Sequence, residues 1–219
     1  MGKNINLLYK NLSNKYFFRN KNKLLNSQGY TKELLLLLDI SKIEPKAVLE
    51  IGCMDGYKLN EINKFYNKAK IKYFGIDLSD KAIEYGKSKF KDIKLLKRSS
   101  LDINKFNFKF DLIICDFLYL LDREHIFKQF DLIYNLLSNK GNLIISDFDP
   151  SFPHYNYDKR NKKLNSFKVD YKPFLVGSGL FKLNILHKWK EKNNKFLSND
   201  VSISIYEKIN FHKEYPSNV

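Results

Sequence analysis

One stretch limits what this chain can fold into: Val48-Leu49-Glu50-Ile51-Gly52-Cys53-Met54-Asp55-Gly56. It reads as an apolar strand carrying an acid near its end, then a tight glycine turn, then an amphipathic helix from about Tyr57. A second acid-tipped strand follows at Tyr73-Phe74-Gly75-Ile76-Asp77. Strand ends carrying Glu50 and Asp77 beside a glycine turn make a socket for a ribosyl ligand. The glycines let the backbone approach it, and a carboxylate can accept both ribose hydroxyl protons.

The turn separates two nucleotide-type ligands. A dinucleotide turn needs glycine at all three places of G-x-G-x-x-G, with pyrophosphate on the helix N-terminus. Counting from Gly52, Met54 and Tyr57 stand where the second and third glycines belong. Glu50 would repel a pyrophosphate and favour a ligand with positive charge. The stretch resembles the E-x-G-x-x-x-G signature of class I S-adenosylmethionine-dependent methyltransferases, whose cofactor is a sulfonium with an amino acid tail.

The rest of the pattern agrees with an open α/β sheet. Residues 1–44 read as an N-terminal helical segment or lid, with Thr31 to Ile40 strongly apolar and Pro45 closing the helix. Strands are expected at Ala47 to Ile51, Lys72 to Ile76, Ile93 to Leu96, Asp111 to Cys115 and Asn142 to Ser146. Helices between them start near Tyr57, near Ser79 as an N-cap, and at Asp122. Residues 150–167 read as an ordered loop or lid. Phe181 to Trp189 and Val201 to Ile209 then make an antiparallel hairpin across a polar turn, Glu191 to Asn199. The expected fold is α/β: doubly wound, with a mostly parallel seven-stranded sheet, an antiparallel C-terminal hairpin and helices on both faces. Residues 45–210 form the methyltransferase domain on this reading, and 211–219 a tail.

The resemblance implies S-adenosylmethionine as cofactor and assigns residues to it. Glu50 lies near the amino acid moiety, Gly52 and Gly56 form the turn beneath it, Asp77 binds the ribose hydroxyls, and Leu78 packs on adenine. Adenine recognition falls to the segment after the third strand, where Ser100 or a shifted Asp102 stands in for the family's acid, beside Leu101. Asp116, after the fourth strand, is implied near the methionine side or the substrate. Upstream, Arg19 in Tyr16-Phe17-Phe18-Arg19-Asn20 offers a planar fork for the cofactor carboxylate. That short pattern is similar to one in methyltransferases associated with bacterial surface-sugar biosynthesis.

After the fifth strand, Asp147-Phe148-Asp149-Pro150-Ser151-Phe152-Pro153-His154-Tyr155 groups acids, a His and aromatics where open α/β sheets bind ligands. Asp149 and His154 are the candidate proton acceptors for a small-molecule methyl acceptor, a sugar or sugar nucleotide being the class favoured. The formal net charge of +15 invites a nucleic-acid partner. Only four of the 39 basic residues are Arg, and the Lys are spread along the chain. That pattern suits a solvated surface better than base recognition. A nucleic-acid or protein methyltransferase, and a non-catalytic binding module, stand as alternatives. No cluster has metal-ligand spacing. The two cysteines, Cys53 and Cys115, read as buried thiols. With no long apolar run, no membrane span is expected and a cytoplasmic protein is. Oligomeric state is not legible.

Overall fold

The computed structural model describes residues 13–19, 28–157, 165–190 and 200–210. The expected tail and the Glu191 to Asn199 turn lie outside them. In chain order the elements are helix α1 (13–19), α2 (Gln28–Ser41), β1 (Ala47–Ile51), α3 (Tyr57–Tyr66), β2 (Lys72–Asp77), α4 (Asp80–Lys89) and β3 (Ile93–Lys97). There follow β4 (Phe110–Cys115), α5 (Ile126–Leu136), β5 (Leu137–Phe148), β6 (His154–Tyr157) and β7 (Asn165–Lys168). The last are α6 (Lys172–Gly177), β8 (Phe181–Lys190) and β9 (Asp200–Lys208). Seven strands form one sheet in the order β3-β2-β1-β4-β5-β9-β8, the fold class read from the sequence. Two compact units divide the chain at Lys105 and Phe106.

In the first unit β1, β2 and β3 run parallel. All five residues of β1 are buried, as expected for a strand covered on both faces. Leu59 and Ile62 of α3 and Ala82, Ile83 and Gly86 of α4 are buried, and both helices pack on β2, whereas Phe65, on the same helical spacing, stays exposed. Ser79 caps α4 by accepting the Ala82 N–H at 3.1 Å. Gly86 is required by contact: a Cβ there would sit 2.1 Å from the Asp55 carbonyl oxygen. The helix thus packs directly on the glycine turn.

In the second unit β4 and β5 are parallel, while β9 pairs antiparallel with both β5 and β8. The helix expected from Asp122 opens instead as a short 3-10 turn, Arg123–His125, before α5, and Phe127 of its apolar stripe is exposed. Ser138 to Gly141 is looped within β5: Phe110 pairs with Leu137, and the register resumes with Leu112 opposite Asn142. The segment read as a loop or lid contains a two-stranded antiparallel ladder, β6 with β7. Across the ladder Tyr155 packs edge-on to Phe167 at 4.6 Å. No helix among the described residues is long and apolar enough to cross a membrane.

Candidate functional site

The first unit carries the two acids that opened the sequence reading. Glu50 is 2% exposed, so its carboxylate is a desolvated charge rather than a solvated strand end. Lys58, in the first turn of α3, sets its ammonium 3.2 Å from Glu50 Oε1 and 5.5 Å from the Tyr30 ring centroid. A buried carboxylate holding an ammonium is the acceptor a cationic ligand requires. Lys58 shows that the position accepts positive charge.

The glycine turn is left-handed at alternate residues: φ is 80° at Gly52, 50° at Met54 and 80° at Gly56. A Cβ on Gly56 would also meet Leu95 Cδ2 at 2.8 Å. Met54 therefore holds, at a cost of about 1–2 kcal/mol, the backbone state that glycine adopts freely. Asp77 steadies it. Its Oδ2 accepts the Met54 N–H at 3.0 Å and its Oδ1 the Ser79 N–H at 2.7 Å. A carboxylate offers about four acceptor positions, so two backbone bonds leave it capacity for further donors.

Around this centre, α1 docks on the start of α4. Asn14 accepts from Ser79 Oγ at 2.7 Å and donates to Asp80 at 2.8 Å, and Phe17 packs on Tyr85. Arg19, on the same helix, is exposed with its guanidinium 5.3 Å from the Tyr16 ring centroid. Leu78, Ser100 and Leu101 are half-buried, the last two in the 3-10 segment Ser100–Lys105. Ser99 Oγ accepts the Leu101 N–H at 3.2 Å, and Arg98 N–H bonds the Asp77 carbonyl at 3.0 Å. The shifted acid, Asp102, ion-pairs with Lys105 at 3.0 Å. A separate cavity of about 560 Å³ includes Lys72, Tyr73, Ile93 and Lys94, at the amino ends of β2 and β3 and away from the acid tips.

In the second unit the residues after β4 and β5 gather. Asp147 is buried, and its pKa is pushed up to about 8 by desolvation, against the pull of two backbone N–H groups. Those donors are Tyr119, at 3.1 Å to Oδ2, and Phe148, at 2.6 Å to Oδ1. Asp116 raises the pKa further and Lys168 opposes it. Asp149 is 3% exposed and lies 2.8 Å from Lys172 Nζ and 3.6 Å from Lys188 Nζ; Lys172 also pairs with Asp170 at 2.8 Å. His154 is half-buried, with Nδ1 3.1 Å from the Phe152 carbonyl oxygen. Two cations lie on aromatic faces: Arg123 is 3.4 Å from the Phe167 centroid and Lys168 Nζ 3.9 Å from that of Phe148. Cys53 and Cys115 are both buried thiols outside any disulfide.

Residues 44–206 match the sequence family described as a methyltransferase domain. The chain belongs to this methyltransferase family. Over 110 residues the chain is 33% identical to an uncharacterized protein of Rickettsia prowazekii (strain Madrid E), a match that covers 48% of this chain and only 43% of that curated relative. Among solved structures it resembles the 1,6-didemethyltoxoflavin-N1-methyltransferase of Burkholderia thailandensis, which holds 1,6-didemethyltoxoflavin and S-adenosylhomocysteine. The TM-score is 0.69 at 11% identity, over 90% of this chain and 87% of that one. It also resembles magnesium protoporphyrin IX methyltransferase from Synechocystis PCC 6803, with S-adenosylhomocysteine bound, at TM-score 0.68 and 13% identity over 93% and 99% of the two chains. At such identities the likeness concerns the fold.

Three residues of the chain escaped the sequence reading as candidates. Lys58 had one signal, a cation in the first turn of a helix, where the macrodipole disfavours it unless an acid is near. Asp147 interrupts an otherwise apolar strand end but looks no different from Asp149 in sequence. Arg123 is one of four arginines, and nothing local links it to Phe167.

Proposed function

We propose that this chain transfers a methyl group from S-adenosylmethionine to a small-molecule acceptor, with a sugar or sugar nucleotide as the class to test first. The observation that carries this reading is the pair of carboxylates, Glu50 and Asp77, set around the left-handed glycine turn, with Glu50 already holding an ammonium. When bound, S-adenosylmethionine supplies an electrophilic methyl group on a sulfonium. Glu50 would hold its ammonium and Asp77 its ribose hydroxyls. Gly52 and Gly56 would admit it against the backbone, and Leu78, Ser100 and Leu101 would flank adenine. Arg19 is the candidate for its carboxylate.

The acceptor side belongs to the second unit. A hydroxyl or amine must lose a proton as it attacks, and a positioned base contributes roughly 10²–10⁴-fold. Asp147 is our first candidate because its pKa lies near neutrality. Asp149 and His154 are the second candidates, and Asp116 faces the same region. Exposed Phe152 and Tyr155 offer apolar faces to a ring. The Tyr-x-x-Arg-Asn pattern around Arg19 supports the sugar class, and the 1,6-didemethyltoxoflavin held in the Burkholderia structure supports the broader class of small-molecule acceptors.

Two measurements test the reading. Calorimetry with S-adenosylhomocysteine should show binding that Glu50→Gln and Asp77→Ala each weaken. A tritiated-methyl assay on the small-molecule fraction of a cell extract should yield a labelled product. Absence of cofactor binding by the unaltered protein would overturn the proposal.

A further inference from the structure

We propose that the methyl acceptor carries an oxyanion, a carboxylate or a phosphate, and that Arg123 is its receptor. This rests on the function proposed above and names the chemistry of its acceptor.

Arg123 begins the 3-10 turn between β4 and α5, and its guanidinium is stacked on Phe167 of β7 at 3.4 Å. The ring contact holds the guanidinium in place beside β7 and leaves its planar fork of N–H donors for another group. Among the described residues no carboxylate pairs with it, and Nη1 is buried with no acceptor. A buried cationic donor with nothing to bond is costly to maintain. A planar oxyanion would satisfy it through the paired contacts for which a guanidinium is suited.

The neighbours agree. Arg123 lies near enough to the Tyr171 phenol to act on it electrostatically, and Asp147 acts on the same phenol. The unengaged cation and the candidate proton acceptor therefore border one region. Lys168, 3.9 Å over the Phe148 ring, adds a second positive charge there. The acids of this region are Asp147 and Asp116, the latter acting electrostatically on Asp147. Burial keeps Asp147 largely protonated at neutral pH, so it does not cancel the cations.

The test uses the full chain saturated with S-adenosylhomocysteine and two probes, inorganic phosphate and acetate. The side-chain N–H signals of the arginines are followed by NMR during titration. Arg123 should shift saturably with at least one probe. Arg123→Gln should lose roughly tenfold or more in probe affinity and keep its S-adenosylhomocysteine affinity. Arg123→Lys, which retains the charge without the planar fork, should fall between the two and serves if the Gln variant does not fold. Equal probe affinity in all three proteins overturns the proposal, as does an Arg123 signal that no probe moves. In a second arm, the small-molecule extract is passed over an anion exchanger before the tritiated-methyl assay. Acceptor activity should stay on the resin and return on salt elution, and phosphatase treatment separates phosphate from carboxylate. Acceptor activity in the flow-through refutes an anionic acceptor while leaving methyl transfer intact. Failure to bind S-adenosylhomocysteine refutes the functional reading itself.

Discussion

The carboxylate of Asp77 reaches back across the glycine turn to accept the N–H of Met54 at 3.0 Å, and so steadies the left-handed conformation of the one residue of that turn with positive φ that is not glycine. From the sequence alone, Asp77 is only a ligand for ribose. In the folded chain it also shapes the floor on which a cofactor would rest.

Asp77→Ala should therefore do two things. It removes the acceptor of two backbone N–H groups, costing roughly 1–3 kcal/mol of stability. It should also lower S-adenosylhomocysteine affinity by more than about tenfold. Urea unfolding and calorimetry on one preparation measure both. Unchanged affinity would remove Asp77 from the site.

Lys58→Met leaves the Glu50 carboxylate buried without its ammonium, and breaking such a pair costs about 3–5 kcal/mol. The double variant Glu50→Gln with Lys58→Met should recover much of that loss. If a ligand ammonium takes the place of Lys58, S-adenosylhomocysteine should raise the Tm of Lys58→Met by more than it raises that of the unaltered protein. Thermal unfolding with and without the ligand reads the difference.

Asp147 gives a pH dependence of defined sign. Its folded pKa of about 8 lies above the ordinary carboxylate value of 3.8, so the folded chain holds this proton more tightly than the unfolded one. The stability it contributes is full below the ordinary value, declines as pH rises, and is gone above about 8. Asp147→Asn should flatten that part of the stability profile. If Asp147 is the proton acceptor, the same variant should lower the rate by roughly 10²–10⁴-fold with little change in cofactor affinity.

Gly86→Ala places a methyl group 2.1 Å from the Asp55 carbonyl oxygen, which is backbone and cannot rotate away. The helix must shift from the glycine turn, at a cost of about 1–3 kcal/mol. Urea midpoints should register the loss, and S-adenosylhomocysteine affinity should fall with it, because the displaced partner is the turn itself.

Much of the architecture was legible because it depends on local periodicity. The apolar run of β1, the Ser79 cap and the β8–β9 hairpin each follow from residues near one another in the chain. The β6–β7 ladder was not legible. Its strands are four residues long and rich in Asn, Lys and aromatics, so their pairing rests on contacts such as Tyr155 with Phe167 rather than on an apolar alternation.

The sequence by itself determined the alternation of strands and helices, the acids at two strand tips and the glycine turn between them, since hydrophobic pattern and backbone freedom act over a few residues. Only the tertiary structure decided what each polar group experiences. Glu50 meets Lys58, Asp149 meets Lys172 and Lys188, Asp147 is left to burial, and Arg123 lies on Phe167. Charge state and pairing depend on desolvation and on neighbours distant in the chain, and neither is written in the spacing of residues along one element.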